Sequence, residues 1–246
     1  MHRRELLGSL AALSAFAGTG GVNAQQPDSA PWVPAQYESF DSWLHAARAA
    51  SMQFLDTPAG RTPDYLIRFL ALWGAALPRD ANGWSTPWVE LPGANARVEF
   101  NMLAAGRPFV VSAFRMAPGC LLPAHCHPGG GGVTMCLQGA VQLEHFHLEA
   151  DSADFRDTGG KASVRYESVT HLTPQRHTLF TPTAANLHQL RAGPDGAVGV
   201  DLLVQWEGAG EFSYFKFASD PALERAAPGQ RFTGTWAGMN ITDAYG

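Results

Sequence analysis

The chain has 246 residues, and with 46% hydrophobic and 16% charged residues it is able to bury a core and is not disordered. Its net charge of −5 and its pI near 6.0 argue against nucleic acid as a partner, because phosphate binding needs a basic face. Three cysteines, Cys120, Cys126 and Cys136, do not make a disulfide framework, although one pair could form. The 26 glycines and 17 prolines suit many short strands joined by turns.

The first 24 residues have the pattern of an export signal. Paired arginines at 3 and 4 precede an uncharged run over 6–21, which is too short and too rich in small residues for a permanent membrane helix. A small-residue cleavage pattern follows at 22–24, so we expect no stable membrane anchoring. Two arginines followed by two leucines resemble the signal read by the twin-arginine export machinery, with an ordinary secretory signal as the alternative. We therefore expect a bacterial periplasmic or secreted protein.

Residues 25–93 are predicted to be a lead-in and helical region that packs on the domain after it. Apolar residues recur at helical spacing from 40 to 54, with Ser39 or Asp41 placed to cap that helix. A second, largely buried helix is predicted to begin at Thr62-Pro63, a cap followed by proline in the first turn.

After residue 93 the apolar pattern changes to the period of two that is typical of strands. Many short strands without alternating helices predict a sandwich or barrel over 94–220, and the polar, Gly-rich tail over 221–246 is expected to pack outside it. Gly193-Pro194-Asp195-Gly196 is the clearest hairpin turn. The predicted strands are Arg97–Met102, Phe109–Met116, Val133–Leu137, Val141–Leu148, Ser163–Thr170, Thr178–Phe180, Val198–Trp206 and Phe212–Phe217.

Three histidines are the candidate metal ligands. His125 and His127 form a His-x-His pair, and on a strand such a pair places both imidazoles on one face. Two ligands make half a site, and His188 is the candidate for the third. A second pair, His145 and His147, lies in a plainly alternating strand beside polar residues, which favours a solvated face. His171 and His177 are left as polar partners of other groups or as cavity residues.

The setting of the first pair resembles the first motif of the cupin family. Gly119, the pair and a turn glycine at 139 keep the spacing of that motif. Most metal-binding cupins place a glutamate ligand four or five residues after the second histidine, where this chain has only glycines, in the run 129–132. The resemblance implies a mainly β fold, a single cupin barrel (double-stranded β-helix or jelly roll) with N-terminal helices, and a site of three neutral histidines.

That ligand set resembles the thiol dioxygenases, above all the branch containing cysteamine dioxygenase and the plant cysteine oxidases. The resemblance covers roughly residues 97–217. The family's Pro-Pro-Tyr is replaced by Gln205-Trp206-Glu207, so its tyrosine is missing there, and Tyr214 or Phe215 partly replaces it. The matching segments are His127-Pro128-Gly129, Thr181-Pro182, Asn186-Leu187-His188 and Val200-Asp201-Leu202-Leu203.

The resemblance implies Fe(II) held by the three histidines and a reaction that adds both atoms of O2 to a thiol, giving a sulfinate. The implied substrate is a small-molecule thiol such as cysteamine or cysteine, or a peptide with an N-terminal cysteine. Asp201 is expected near the substrate, where it would meet an amine, or else to be a strand residue that satisfies a loop. Tyr214 is the second candidate catalytic residue. The alternatives are another metal-dependent cupin with a non-thiol substrate and a non-catalytic cupin that binds small molecules.

Overall fold

In the computed structural model, the described part of the chain consists of one helix followed by ten strands. All of it belongs to one compact unit, Val33–Gly246. The described residues are 37, 39–55, 73, 76, 89–90, 98–104, 109–127, 130–174, 176–181, 186–205, 212–219 and 226–239. The elements are α1 Phe40–Leu55, β1 Val89–Glu90, β2 Val98–Ala104, β3 Phe109–Met116, β4 Leu121–Cys126, β5 Gly130–Leu148, β6 Lys161–Leu172, β7 His177–Phe180, β8 Leu187–Gln205, β9 Ser213–Phe217 and β10 Arg231–Gly238.

Helix α1 forms where the helical period predicted it, and Ser39 is its cap. The Ser39 hydroxyl accepts a hydrogen bond of 3.2 Å from the backbone N–H of Ser42, so one unpaired N–H of the first turn is satisfied. Trp43 is fully buried on this helix, and its indole N–H donates to the backbone carbonyl of Trp73 at 3.1 Å. No helix in the described part of the chain is long and apolar enough to cross a membrane.

The export signal and the lead-in, which together span residues 1–36, fall outside the described residues. The second helix, predicted from Thr62-Pro63, also falls outside them, except for Trp73, which is helical and 6% exposed.

The strands form the two facing sheets of a double-stranded β-helix, which confirms the predicted mainly β fold. The first sheet has the order β1–β2–β3–β8–β5–β7, built from the second half of β8 and the first half of β5. In the second sheet, the first half of β8 pairs with β4, and the order continues through β9, β10 and β6 to the second half of β5. Since β5 also pairs with β8, this second sheet closes into a six-stranded ring.

Two hydrophobic cores lie on opposite faces of the second sheet. The inter-sheet core joins it to the first sheet and contains Val98, Phe114, Met116, Leu122, Leu143 and Leu190. The ring core draws residues from all six strands of the ring: Ala124, Phe146, Val164, Leu187, Phe215 and Trp236. Phe146 and Phe217 lie on strands three positions apart in either direction round the ring, yet their ring centroids are 5.4 Å apart. The ring therefore encloses this second core.

One pair of predicted strands is in fact a single long strand, and a second strand begins well before its predicted start. β5 runs through Gly139 without a reversal, and β8 runs through the segment predicted to be a hairpin. Residues on both sides of that segment pair with β5 in the same antiparallel sense: Ala192 with Val141, and Ala197 with Gly139. Residues 193–196 therefore leave the strand as a short loop and return to the same partner.

The C-terminal segment contains a strand that the sequence analysis did not predict. We expected residues 221–246 to pack outside the barrel, whereas β10 lies within the second sheet, between β6 and β9. Its Trp236 is 1% exposed in the ring core, and the indole N–H donates to the carbonyl of Ala153 at 2.9 Å. β10 completes the ring that supports the candidate site.

Candidate functional site

The fold brings the three predicted ligands together on the face of the second sheet that looks toward the first. His125 on β4 is the direct cross-strand partner of His188 on β8, so their side chains share a face. His127 follows β4 by one residue, and its ring centroid lies 5.1 Å from that of His125 and 5.4 Å from that of His188. One side-chain nitrogen from each histidine lies within 4.8 Å of the others.

Burial favours the neutral form of His125 and His127, the form that binds metals. It lowers the pKa of His125 to about 4, and the hydrogen bond of its Nδ1 to the Pro123 carbonyl, at 2.9 Å, only partly opposes the shift. Since that carbonyl can only accept, Nδ1 carries the proton and Nε2 has a free lone pair. Burial, with the neighbouring His125, holds the pKa of His127 well below its usual value.

The donor set fits a borderline divalent metal such as iron or zinc. His125, His127 and His188 would hold such an ion together, since one side-chain nitrogen of each lies within 4.8 Å of the others. Nε2 of His127 is buried and has no hydrogen-bond partner among the described residues. Because burying an unpaired polar atom costs free energy, this nitrogen is suited to bind a metal ion. Of the described residues, the group that could hold an ion contains histidines alone, with no carboxylate or thiolate.

Asn186 fixes the histidine that lies beyond the end of its strand. Its side-chain carbonyl accepts from the backbone N–H of His127 at 2.7 Å. Its amide group donates to the carbonyl of His127 at 3.0 Å and to that of Thr181 at 3.1 Å. The side chain thus pairs with His127 much as a neighbouring strand would. The sequence analysis quoted Asn186 within a motif but assigned it no role.

Phe180 packs against two of the three histidines. Its ring is stacked on His127, with centroids 5.4 Å apart and planes at 24°, and it is tilted on His188 at 4.9 Å. The side chain is 2% exposed and pairs across the ladder with Gly132 on β5. Phe180 is thus an apolar wall on one side of the site.

Asp201 lies on the inner face of the first sheet. The side chains of Leu203 and Phe180 both lie against Gly132, on the inner face of the first sheet. Asp201 is two residues from Leu203 on the same strand, so its side chain points to that face as well, toward the sheet that carries the histidines. Burial raises the pKa of Asp201 to about 7, and a hydrogen bond from the Thr134 hydroxyl at 2.6 Å partly opposes this. An acid that titrates near neutrality beside a cluster of this kind is a candidate functional residue.

Tyr214, the other predicted catalytic residue, is the cross-strand partner of His125 from β9. The two ring centroids are 5.8 Å apart, and the tyrosine is 5% exposed. Phe215, the alternative to Tyr214, points to the opposite face, where it contacts Trp236 in the ring core at 5.5 Å. Of the two, Tyr214 is the one beside the histidines.

The second histidine pair is not a solvated face, which corrects the sequence prediction for His145. His145 is 3% exposed and is the cross-strand neighbour of His188 on the inner face. Its Nε2 lies 3.4 Å from the hydroxyl of Thr178 and 3.5 Å from that of Thr170. Only His147 is partly exposed, near Glu167 at 3.9 Å. Alternation alone cannot say which partner strand covers a face, so no signal in the sequence separates this pair from an exposed one.

The three cysteines are buried, and no disulfide joins any two of them. Burial raises the pKa of Cys126 to about 12 and that of Cys136 to about 11, so neither thiol ionises near neutral pH. Cys136 is fully buried in the inter-sheet core, consistent with the small apolar role expected of it.

The comparisons with known proteins point to one family. The PCO_ADO family model matches residues 81–205, which include all three histidines and Asp201. A search of curated proteins found no match to this sequence.

Among solved structures, KdgF from Halomonas sp. is 13% identical, with 50% of this chain and 88% of that chain covered and a TM-score of 0.35. An RmlC-like cupin from Shewanella frigidimarina is 14% identical, over 51% and 89% of the two chains, with a TM-score of 0.35. A protein with a double-stranded β-helix domain from Klebsiella pneumoniae is 17% identical, over 51% and 84%, also with a TM-score of 0.35.

Proposed function

Because the chain belongs to the PCO_ADO family, that of cysteamine dioxygenase and the plant cysteine oxidases, we propose that it is a non-haem iron thiol dioxygenase. The proposed reaction joins a thiol and O2 into a sulfinic acid, with both oxygen atoms on sulfur and the thiol proton retained by the product or released. The substrate is proposed to be a thiol with an amine nearby, of the cysteamine, cysteine or N-terminal cysteine type.

The observation that carries this proposal is the neutral ligand set. Three buried imidazoles supply no negative charge to a divalent ion, and no carboxylate or thiolate of the described residues joins them. An ion held in this way keeps its full charge, which favours an anionic thiolate as the next ligand. When bound, Fe(II) would supply the chemistry that joins thiol and O2.

The chain's own residues would hold and orient the reactants. The bond from His125 to Pro123 fixes the tautomer and aims Nε2 at the ion, and Asn186 holds the backbone of His127. Phe180 shields one side of the site from water. Tyr214 lies beside His125, within the space that a bound thiol would share.

Asp201 is proposed to select the amine. The carboxyl is buried and accepts a hydrogen bond from Thr134, and the described residues place no ion-pair partner against it. A substrate ammonium would provide that partner through a charge-assisted hydrogen bond, and it would lower the pKa of Asp201 in the complex. A substrate carboxylate would instead meet a like charge. This contrast is the basis for preferring amine-bearing thiols.

The test is O2 uptake by purified protein loaded with Fe(II), using cysteamine, cysteine, an N-terminal cysteine peptide and 3-mercaptopropionate. We expect uptake that depends on thiol and is fastest with an amine-bearing substrate. With 18O2, mass spectrometry should find two labelled atoms in the sulfinate. The His188→Ala variant is the control, and it should show neither bound iron nor uptake.

The same measurements identify the alternatives. Bound iron without thiol-dependent uptake would favour a metal-dependent cupin with another substrate. Wild-type protein that binds no metal, whether purified or titrated with Fe(II), Mn(II) or Zn(II), would contradict the proposal and favour a small-molecule-binding cupin.

We also propose export to the periplasm by the twin-arginine route, on the basis of the paired arginines at 3 and 4. Replacing both with lysine should leave the protein in the cytoplasmic fraction. Unchanged export of this variant would favour an ordinary secretory signal.

A further inference from the structure

Gly132 lies where β5 passes the metal-binding histidines, and the space before it is full. A Cβ atom on this residue would lie 2.3 Å from Cζ of Phe180, 2.7 Å from its Cε1 and 2.7 Å from Cδ2 of Leu203. Real side chains do not approach so closely, so any residue other than glycine must displace the phenyl ring or the leucine. The backbone of Gly132 has no positive φ, which would itself require glycine. Crowding alone therefore demands glycine here.

The ring that occupies this space has no freedom to retreat. Phe180 is 2% exposed, and its far side packs on His127 and His188 at centroid distances of 5.4 and 4.9 Å. A side chain at position 132 would thus clash first with the phenyl ring of Phe180, and a longer one would then reach the histidines behind it. Gly132 and Phe180 are directly paired across the ladder, which fixes their registration.

We propose that Phe180 and Gly132 form a matched pair that closes one side of the metal site to any carboxylate from β5. This inference rests on the proposed function, because it assumes that the three histidines bind a metal. It assigns Phe180 the role of a specificity-determining residue. The phenyl ring of Phe180 would exclude a fourth protein ligand and water from its side of the site. Substrate and O2 would then have to approach the metal from the sides away from Phe180.

The pair makes a prediction about Gly132→Glu that differs from a simple addition of a ligand. A glutamate at this position offers an oxygen to the metal, but its Cβ collides with the phenyl ring. The single variant should therefore bind metal more weakly than the wild type or fold poorly. The ligand should become effective only when Phe180→Ala removes the ring as well.

The experiment compares five variants as metal-free proteins: Gly132→Glu, Gly132→Ala, Phe180→Ala, and each of the two Gly132 substitutions combined with Phe180→Ala. Mn(II) affinity is measured by the EPR signal of the free ion, and unfolding by circular dichroism. We expect the affinity of Gly132→Glu with Phe180→Ala for Mn(II) to be at least about tenfold higher than that of Phe180→Ala alone. The reason is that a residue bound directly to the metal contributes more affinity than the hydrogen-bond partners of the ligands, which are worth about 10- to 100-fold. Gly132→Ala should lower the unfolding midpoint more in the wild-type background than beside Phe180→Ala, where only the contact with Leu203 remains.

Two outcomes would overturn the pair. The first is a Gly132→Glu protein that unfolds at the wild-type temperature and binds Mn(II) more tightly than the wild type. The second is a Gly132→Glu with Phe180→Ala protein that binds Mn(II) no better than Phe180→Ala. If the wild type and His188→Ala bind Mn(II) equally weakly, it is the proposed function that fails. The Gly132→Ala stabilities then still decide whether the two residues are matched.

Discussion

The two faces of the six-stranded ring are built from neighbouring residues but differ in chemistry. On four strands, an aromatic polar residue faces the first sheet while an adjacent residue faces the ring core. The pairs are His125 with Cys126, His145 with Phe146, His188 with Leu187, and Tyr214 with Phe215. Alternation with period two is enough to separate the two sets. One face carries the candidate chemistry beside the inter-sheet core, while the other carries only the apolar ring core.

This division predicts that substitutions on the two faces fail in different ways. On the histidine face, substitution of a candidate ligand should change metal binding and leave the fold, since the apolar packing of that face comes from other residues, such as Leu122, Leu143 and Leu190. On the ring face, a substitution should cost stability and leave the metal affinity of the folded protein. The predictions below test that separation, from the largest expected effect to the smallest.

Replacing His125, His127 or His188 with Ala should remove most of the bound iron and abolish activity. Loss of a direct ligand should weaken binding by more than the roughly 10- to 100-fold that an outer hydrogen bond is worth. Iron content by elemental analysis and the circular dichroism spectrum measure the two effects. A variant with wild-type iron content would remove that histidine from the ligand set.

Phe146→Ala is the counterpart on the ring face. Phe146 is 1% exposed between Tyr166 and Phe217, so its truncation should cost about 3–5 kcal/mol of unfolding free energy in urea. At low temperature, where the variant is still folded, its Mn(II) affinity should equal that of the wild type. Affinity that falls together with stability would show that the two faces are coupled.

Asn186→Ala should weaken metal binding by about 10- to 100-fold, because it releases the backbone of His127 and two carbonyl acceptors. Asn101→Ala is the control, since Asn101 is a buried asparagine that lies on β2, away from the histidines. Both variants should lose stability, whereas the Co(II) absorption spectrum should change only for Asn186→Ala. Equal spectra would make Asn186 a purely structural residue.

Asp201→Asn should lower turnover of cysteamine by about tenfold or more, since a charge-assisted hydrogen bond is worth about 1.5–3 kcal/mol and each 1.4 kcal/mol is a factor of ten. Turnover of 3-mercaptopropionate should be unchanged or faster, because its carboxylate no longer meets a like charge. A general folding defect would lower both rates alike. Equal losses would therefore exclude Asp201 from substrate selection.

The smallest effect is the pH dependence of stability in the metal-free protein. The pKa of Asp201 is raised from 3.8 to about 7, so between these values the folded state keeps a proton that the unfolded state releases. The contribution of Asp201 to stability therefore falls as pH rises through this window and is constant above it. In urea unfolding at pH 5 and pH 8, the free energy of unfolding of Asp201→Asn should increase relative to that of the wild type as pH rises. A constant difference would contradict the raised pKa.

Much of the fold followed from patterns that the sequence displays directly. β3 has the predicted bounds, and helix α1 follows the predicted apolar period to within a residue or two at its end. β10 was missed because Gly234 and Gly238 and its threonines read as a polar tail, although Phe232 and Trp236 face the same core. Its partners, β6 and β9, are distant in sequence, and only the closed ring explains the strand.

The candidate site could be predicted only in part, because some of its residues depend on strands that are distant in sequence. His125, His127 and His188 could be chosen from spacing and resemblance, and the structure brings them together. The wall formed by Phe180 could not be predicted, because it depends on the register of β7 against β5. The burial of His145 also depends on the neighbouring strand rather than on its own alternation.

The loop over residues 193–196 separates the two halves of β8, which carry His188 and Asp201. It projects where Gly139 and Gly196 approach each other, both with positive φ, and both halves of the strand return to β5. Within a paired strand, one inserted residue would turn every later side chain to the other face. Here, an insertion or deletion can be absorbed by the loop. The number of residues between the histidine and the acid can thus change without altering which face of the strand each one occupies.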